Sequence, residues 1–300
     1  MKTLSEYYKE KYGFRVFKIG LSTGIKCPYN CHFCVPNTYI EESYTKSSIN
    51  EQINQAIQNI KQKVKASGYI AYFQDGTSLY GDPEYLYNLF KQADEHPDIL
   101  EIIISTRPDC LPETTLNLLQ KLNKPVTLEI GVQTTNNQSL AYLNRKHTQE
   151  DNQKAIDLLQ NYSFKVGIHI ILGIPNDNID NIIYWINKTK IISDVKIHHL
   201  AVYKNSKLSE IISKEDIIDL DCYLEIIKYF LPKLRNDITI SRLFSSNLSR
   251  DNSMLNNFPG NKRMWLNAVP TASRPWPVAA ISDRHPNRTE RIYPFRIKYV

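Results

Sequence analysis

Apolar positions along this 300-residue chain fall into a repeating order, a short β-branched run followed by an amphipathic stretch. An apolar run over residues 14–22 leads into a polar loop. There "SSINEQINQAIQNIKQKVKAS" follows, with a Ser cap and helical spacing at Ile53, Ile57, Ile60 and Val64. The helix breaks at Gly68, "YIAYF" supplies a second β-type run, and the turn "QDGTSLYGDP" opens a helix from about Pro83 to Ala93. The cadence recurs in "ILEIIIST" with "LPETTLNLLQKL", in "VTLEIGV" with "NNQSLAYLN" and "TQEDNQKAIDLLQNY", and in "FKVGIHIILG" with "NIDNIIYWINKTK", ending at "DVKIHHLAV".

The pattern predicts six strands alternating with helices. Nearly continuous Val/Ile-rich strands separated by amphipathic helices imply parallel strands covered by helices. The fold class is therefore α/β, with a complete or partial (β/α) barrel leading and a doubly wound sheet as the alternative. In either, chemistry gathers at the carboxyl ends of the strands. Four segments are expected: a polar lead-in over 1–17, the barrel over 18–205, an extension over 206–268 packed on the barrel, and a tail over 269–300. The extension carries the helix "DLDCYLEIIKYFLPKL" and the short strand "DITISRLF", whereas the tail turns Pro/Arg-rich and loses periodicity.

Composition adds limits. With 42% hydrophobic and 23% charged residues the chain has the profile of a globular protein. No stretch approaches the roughly 20 apolar residues that span a bilayer, and "MKTLSEYYKEKYGF" lacks a signal-peptide h-region, so a cytoplasmic location and no membrane partner are expected. Thiols stay reduced there, which favours metal binding or catalysis over a disulfide framework for clustered cysteines. The net charge of +6 admits an anionic partner such as RNA, and equally describes basic residues on solvated helix faces.

The candidate chemistry sits in the loop after the first strand. "GIKCPYNCHFCVPNTY" places Cys27, Cys31 and Cys34 in the spacing C-x3-C-x2-C. Such a loop can wrap three thiolates around one face of a cubane iron–sulfur cluster and leave the fourth iron without a protein ligand. A zinc site completed by His32, Cys110 or Cys222 is the alternative, although His32, beside Cys31, is poorly placed to close the same tetrahedron.

These residues resemble the signature of radical S-adenosylmethionine (radical SAM) enzymes, C-x3-C-x-aromatic-C after the first strand of a partial (β/α)6 TIM-like barrel, with Phe33 in the aromatic place. The ordered blocks "RVFKIGLSTGIKCP", "GYIAYFQDGTSLYG", "ISTRPDCLPE", "LEIGVQTTNNQSLAYLNRKHT", "VGIHIILGIPND", "VKIHHLAVYKNSKL" and "ITISRLF...NKRMWLNAV" resemble its YhcC-like group, relatives of the radical domain of the Elongator catalytic subunit. The resemblance runs from about residue 14 to 269 and stops before the tail.

The resemblance implies a [4Fe-4S] cluster on Cys27, Cys31 and Cys34, with the amino and carboxylate groups of S-adenosylmethionine on the unique iron. An external one-electron donor such as flavodoxin or ferredoxin would drive cleavage to methionine and a 5′-deoxyadenosyl radical. It also implies cofactor contacts. Gln74 and Thr77 fall in the amino-group loop, which here lacks its usual acidic end. Gln133 and Arg145 match places that contact the ribose and the methionine carboxylate, as an amide and a guanidinium are suited to do. Ser105 with Thr106 would add a hydroxyl, and Gly173 in "IILGIP" would let backbone approach the adenine.

For the individual side chains the local readings stay open: a turn or cap role for Thr77 and Ser105, and a surface cation for Arg145. A core role is equally open for Cys110, His169, His198 and His199. The implied substrate is tRNA or another RNA. A small molecule is the alternative, and a non-enzymatic zinc or iron–sulfur partner-binding protein is the contrasting class.

Overall fold

Period two divides each strand between two faces, and here the two faces carry different chemistry. The computed structural model describes residues 2–35, 47–62, 67–245, 254–256 and 258. Val64, residues 261–269 and the 269–300 tail lie outside them. In chain order the elements are β1 (Lys2–Thr3), α1 (Leu4–Tyr12), β2 (Val16–Leu21), α2 (Ile49–Lys61), β3 (Gly68–Phe73) and α3 (Pro83–Glu95). Next come β4 (Ile99–Thr106), α4 (Glu113–Leu119), β5 (Val126–Gln133), α5 (Asn137–Tyr142), α6 (Gln149–Leu159) and β6 (Lys165–Leu172). Last are α7 (Ile179–Lys188), β7 (Ile192–His199), α8 (Leu208–Ile211), α9 (Leu220–Phe230) and β8 (Thr239–Arg242).

Helix starts follow local chemistry. Ser48 and Glu51 form a capping box on α2, Thr148 and Asp151 form one on α6, and Asp82 caps α3 ahead of Pro83. The strands form one sheet in the order β1-β8-β7-β6-β5-β4-β3-β2, with every neighbouring pair parallel. The six expected strands are all present as β2 to β7. The sheet gains two more: β8, expected in the extension, runs beside β7 with Asp194 opposite Thr239, and β1 of the lead-in pairs with β8. At four and two residues these are too short for periodicity to reveal where they pair.

The outer face is apolar. Ile19, Leu21, Phe73, Ile104, Leu128 and Ile168 join Ile53, Phe90, Leu116 and Ile156 of the helices in the main core. Phe73 and Phe90 meet edge-on with ring centroids 4.8 Å apart, and truncating Phe90 to Ala should cost about 3–5 kcal/mol.

The inner face is polar, and it shows the curvature. Lys18 of β2 and Lys196 of β7 both reach the Glu129 carboxylate of β5, at 3.1 and 3.3 Å. Four strands separate β2 from β7 in the sheet, so a flat sheet would hold them about 24 Å apart. The sheet is therefore curled into an open barrel. Helix α1 plugs its lower end: Tyr8 is buried with Ile70, Tyr72 and Ile103, while Tyr8, Lys11 and Tyr12 all bond to buried Glu101. Among the described residues no helix is long and apolar enough to cross a membrane.

Candidate active site

The cysteine loop leaves β2 at the carboxyl-terminal rim and is held from three sides. His32 accepts no freedom here: its backbone N–H donates to Leu143, its carbonyl accepts from Leu208, and its Nδ1 lies 2.7 Å from the Tyr142 carbonyl. Phe33 packs against the apolar cluster of Leu143, Ile171, Ile174, Leu200, Val202 and Leu208. On the β3 side, buried Asp75 accepts hydrogen bonds from the Ser22 and Thr23 hydroxyls, the Thr23 N–H and the Ser78 hydroxyl, which ties the loop after β3 to the start of the cysteine loop.

That tie brings Gly76 directly against Cys27. With φ at +62°, a Cβ on Gly76 would lie 2.6 Å from the Cys27 Cβ, so only glycine fits. Cys27 is exposed, Cys31 buried and Cys34 half-buried. Burial holds the Cys34 thiol up to about 12, with the nearby Cys31 and Cys27 adding to the shift, and burial also raises Cys27. A positive group bound at this loop would favour their thiolate forms.

Two guanidiniums face Cys31. Arg145, buried, has Nη1 3.3 Å from the Cys31 Sγ and donates through Nη2 to the Gly131 carbonyl at 2.8 Å. Its Nε has no partner among the described residues. Arg107, equally buried, has Nη1 3.7 Å from the same sulfur, forms a forked pair with Asp109 at 2.8 Å and lies 3.6 Å over the Tyr29 ring. Burial works against the Arg107 charge and Asp109 more than offsets it, whereas burial lowers Arg145. His147 stays neutral beside them, pushed down to about 4 by burial and then by Arg145 and Arg107.

The remaining candidates separate into two groups. Gln133, at the β5 end with φ +70°, shares the space beside Gly131 with Arg145. A Cβ on Gly131 would lie 3.0 Å from the Gln133 Nε2 and 3.3 Å from the Arg145 Nη2. These two and the Gly76 loop join the cysteines. The others are engaged elsewhere. Thr77 shares a hydrogen bond with Thr106 and accepts from the Arg107 N–H, and Ser105 donates toward the Tyr72 hydroxyl and Glu129 inside the barrel. Gly173, with φ +89°, has Ile218 where a Cβ would stand. Gln74 lies on the inner face beside Gly20.

His169 and Lys196 belong to the interior network around Glu129, and Cys110 Sγ sits 3.6 Å from the Tyr29 hydroxyl. His199 packs between Tyr223 and Phe258. Sequence reasoning missed Arg107 and Asp75. Arg107 was signalled only by its Asp two residues on, a spacing that suits a local fork.

The donor set fits a three-thiolate cluster better than a four-ligand ion. No three His, Cys, Asp or Glu side chains among the described residues converge on an ion-sized point. Of the candidates for a zinc site's single fourth ligand, His32 turns its Nδ1 to the Tyr142 carbonyl and Cys110 lies 3.6 Å from the Tyr29 hydroxyl, and none completes an ion-sized site with the cysteines among the described residues. Three thiols on one loop, backed by two guanidiniums and a glycine cradle, suit an anionic group bulkier than one ion.

A family model described as the Radical SAM superfamily matches residues 21–188. Protein MJ0486 of Methanocaldococcus jannaschii is 32% identical over 254 residues, 79% of this chain and 78% of the relative. Protein YhcC of Escherichia coli K12 is 28% identical over 213 residues, 67% of this chain and 68% of YhcC. Among solved structures, the archaeal Methanocaldococcus infernus Elp3 with an N-terminal deletion matches with a TM-score of 0.63 at 19% identity, a likeness of fold. That match covers 84% of this chain and 61% of the longer one.

Proposed function

This chain belongs to the radical SAM superfamily, in its YhcC-like group, and we propose that Cys27, Cys31 and Cys34 hold the [4Fe-4S] cluster at which S-adenosylmethionine is reductively cleaved. It is a radical SAM enzyme, and the cluster and S-adenosylmethionine are its cofactors. When bound and reduced, they supply a 5′-deoxyadenosyl radical that abstracts hydrogen from a substrate. The observation that carries the cysteine assignment is the convergence of Arg145 and Arg107 on Cys31 within the C-x3-C-x2-C loop.

The chain's own residues bind, orient and shield. Arg145 keeps a buried positive charge beside the cluster loop, offers a free Nε toward a carboxylate, and is oriented by the Gly131 carbonyl. Gln133 presents an amide at the same point for a ribose diol. The Gly76 turn offers carbonyls to an ammonium, while Phe33 and its apolar neighbours exclude water from one side. Arg107 acts through Cys31: its donor lowers the negative charge on that thiolate. Thr77, Ser105 and Gly173 act structurally in this reading.

The family needs an external electron donor, for which flavodoxin or ferredoxin is proposed. Cysteines clustered for a metal centre rather than a disulfide framework support a cytoplasmic location, where thiols stay reduced. The radical unit is proposed to span 18–205, and the described part of 206–268 adds β8 to the same sheet. Resemblance to the Elongator relatives and the +6 charge support an RNA substrate such as tRNA. A cavity of about 230 Å³ inside the barrel favours a small molecule as the second reading.

Anaerobic reconstitution is expected to give a brown protein with about four irons, and dithionite with S-adenosylmethionine should then release 5′-deoxyadenosine. A colourless protein holding one zinc, or full cleavage by Cys31→Ala, would overturn the cluster assignment. Mass spectrometry of tRNA nucleosides and metabolites from a deletion strain separates the two substrates.

A further inference from the structure

The cavity inside the barrel lies between the two ends of the curled sheet. Lys18 of β2, Tyr72 and Gln74 at the β3 end, Lys196 of β7, and Ser241 with Arg242 of β8 line it. Three cations from three strands thus meet in one small space. Lys18 and Lys196 share one carboxylate, Glu129, which Tyr72 and His169 also bond at 2.9 and 2.6 Å. The Tyr72 ring lies between the two ammoniums, 4.8 and 4.5 Å from them. The Arg242 guanidinium has no side-chain partner among the described residues, and it is half-buried.

Basic groups outnumber acidic ones here. Against Lys18, Lys196 and Arg242 stand Glu129 and Asp194, and burial holds the Asp194 carboxyl up to about 6. His169 and His198 are pushed down by burial and by the neighbouring cations, so they remain neutral near pH 7. Lys196 itself is pushed down to about 7, by burial first and then, against the pull of Glu129, by Arg242 and Lys18. A buried ammonium crowded by two cations on its open side is relieved by an anion.

We propose that this cavity binds an oxyanion of the substrate, a phosphate or carboxylate held among Lys18, Lys196 and Arg242. Gln74 joins it to the chemistry above: the same residue lines the cavity and begins the loop whose Gly76 rests on Cys27. A ligand anchored below would direct its remaining atoms toward the cofactor residues. The word substrate rests on the radical reading; the oxyanion site does not.

The test is equilibrium dialysis of the full chain against radiolabelled phosphate in chloride buffer of constant ionic strength. Saturable binding is expected, weakened about 10-fold or more in Arg242→Gln, largely restored in Arg242→Lys, and unchanged in Lys207→Gln, a surface cation paired with Glu210. Thermal unfolding of each variant checks the fold. Displacement of the phosphate by a tRNA transcript assigns the oxyanion to RNA, and its absence assigns it to a small molecule; each supports the site. Equal binding by wild type and Arg242→Gln overturns it. Phosphate bound by Cys31→Ala, measured in parallel, keeps failure of the cluster reading distinct from failure of this one.

Discussion

Arg145 bridges two elements that the chain order keeps apart, donating to the Gly131 carbonyl at 2.8 Å while its Nη1 lies 3.3 Å from the Cys31 Sγ. With one hand on the barrel wall and the other at the cysteine loop, it keeps an Nε that has no partner among the described residues as a free donor. Arg145→Gln is expected to retain cluster iron and to bind S-adenosylmethionine about 10–100-fold more weakly, since a charge-assisted hydrogen bond is worth about 1.5–3 kcal/mol. A titration followed by the electron paramagnetic resonance of the reduced cluster reads that affinity. No change would remove Arg145 from the cofactor's contacts.

Gly76→Ala places a methyl group 2.6 Å from the Cys27 Cβ and strains a φ of +62°. Something must move, and the exposed Cys27 loop is the side with room. Iron content after reconstitution should fall well below wild type while the unfolding temperature changes by only a few degrees, as expected for about 1–2 kcal/mol of local strain. Full iron occupancy in this variant would show that the β3 loop does not set the position of Cys27.

Cys110→Ser and His32→Ala discriminate between the cluster and a tetrahedral ion. Neither Cys110 nor His32 completes an ion-sized site with the three cysteines among the described residues, so neither substitution should change the metal recovered by elemental analysis. Cys34→Ser, by contrast, should abolish stable iron binding. Loss of metal from Cys110→Ser would favour the zinc reading.

Asp194 links stability to pH. Burial, then the charge of Glu129, raises its carboxyl from 3.8 to about 6, so the folded chain holds this proton more tightly than the unfolded chain. The resulting contribution is fully present below the unfolded value and is lost as pH rises through about 6. Asp194→Asn removes that loss, with an expected gain of up to about 3 kcal/mol at pH 8 and little change at pH 4. Denaturant unfolding of the apo chain at the two pH values measures it. An equal gain at both would assign the effect to packing instead.

The strands β2 to β7, the Ser cap of α2 and the cysteine loop were legible because each is local: a period of two, a Ser before a helix, three cysteines within eight residues. The family resemblance added Gln133 and Arg145, which the fold does bring together beside Gly131. Ser105 was matched to the ribose by its place at a strand end, yet its hydroxyl serves Tyr72 and Glu129, because period two turned it inward one layer below the rim.

Arg107 carried no signal of its purpose, since the sulfur it faces is 76 residues away. The Glu129 network was equally hidden: Lys196 and Tyr72 are 124 positions apart and meet only because the sheet curls. Short-range pattern thus fixed the elements, their order and the cysteine loop. Tertiary structure alone decided which charges share the barrel interior, because a parallel sheet joins through space strands that long crossovers separate along the chain.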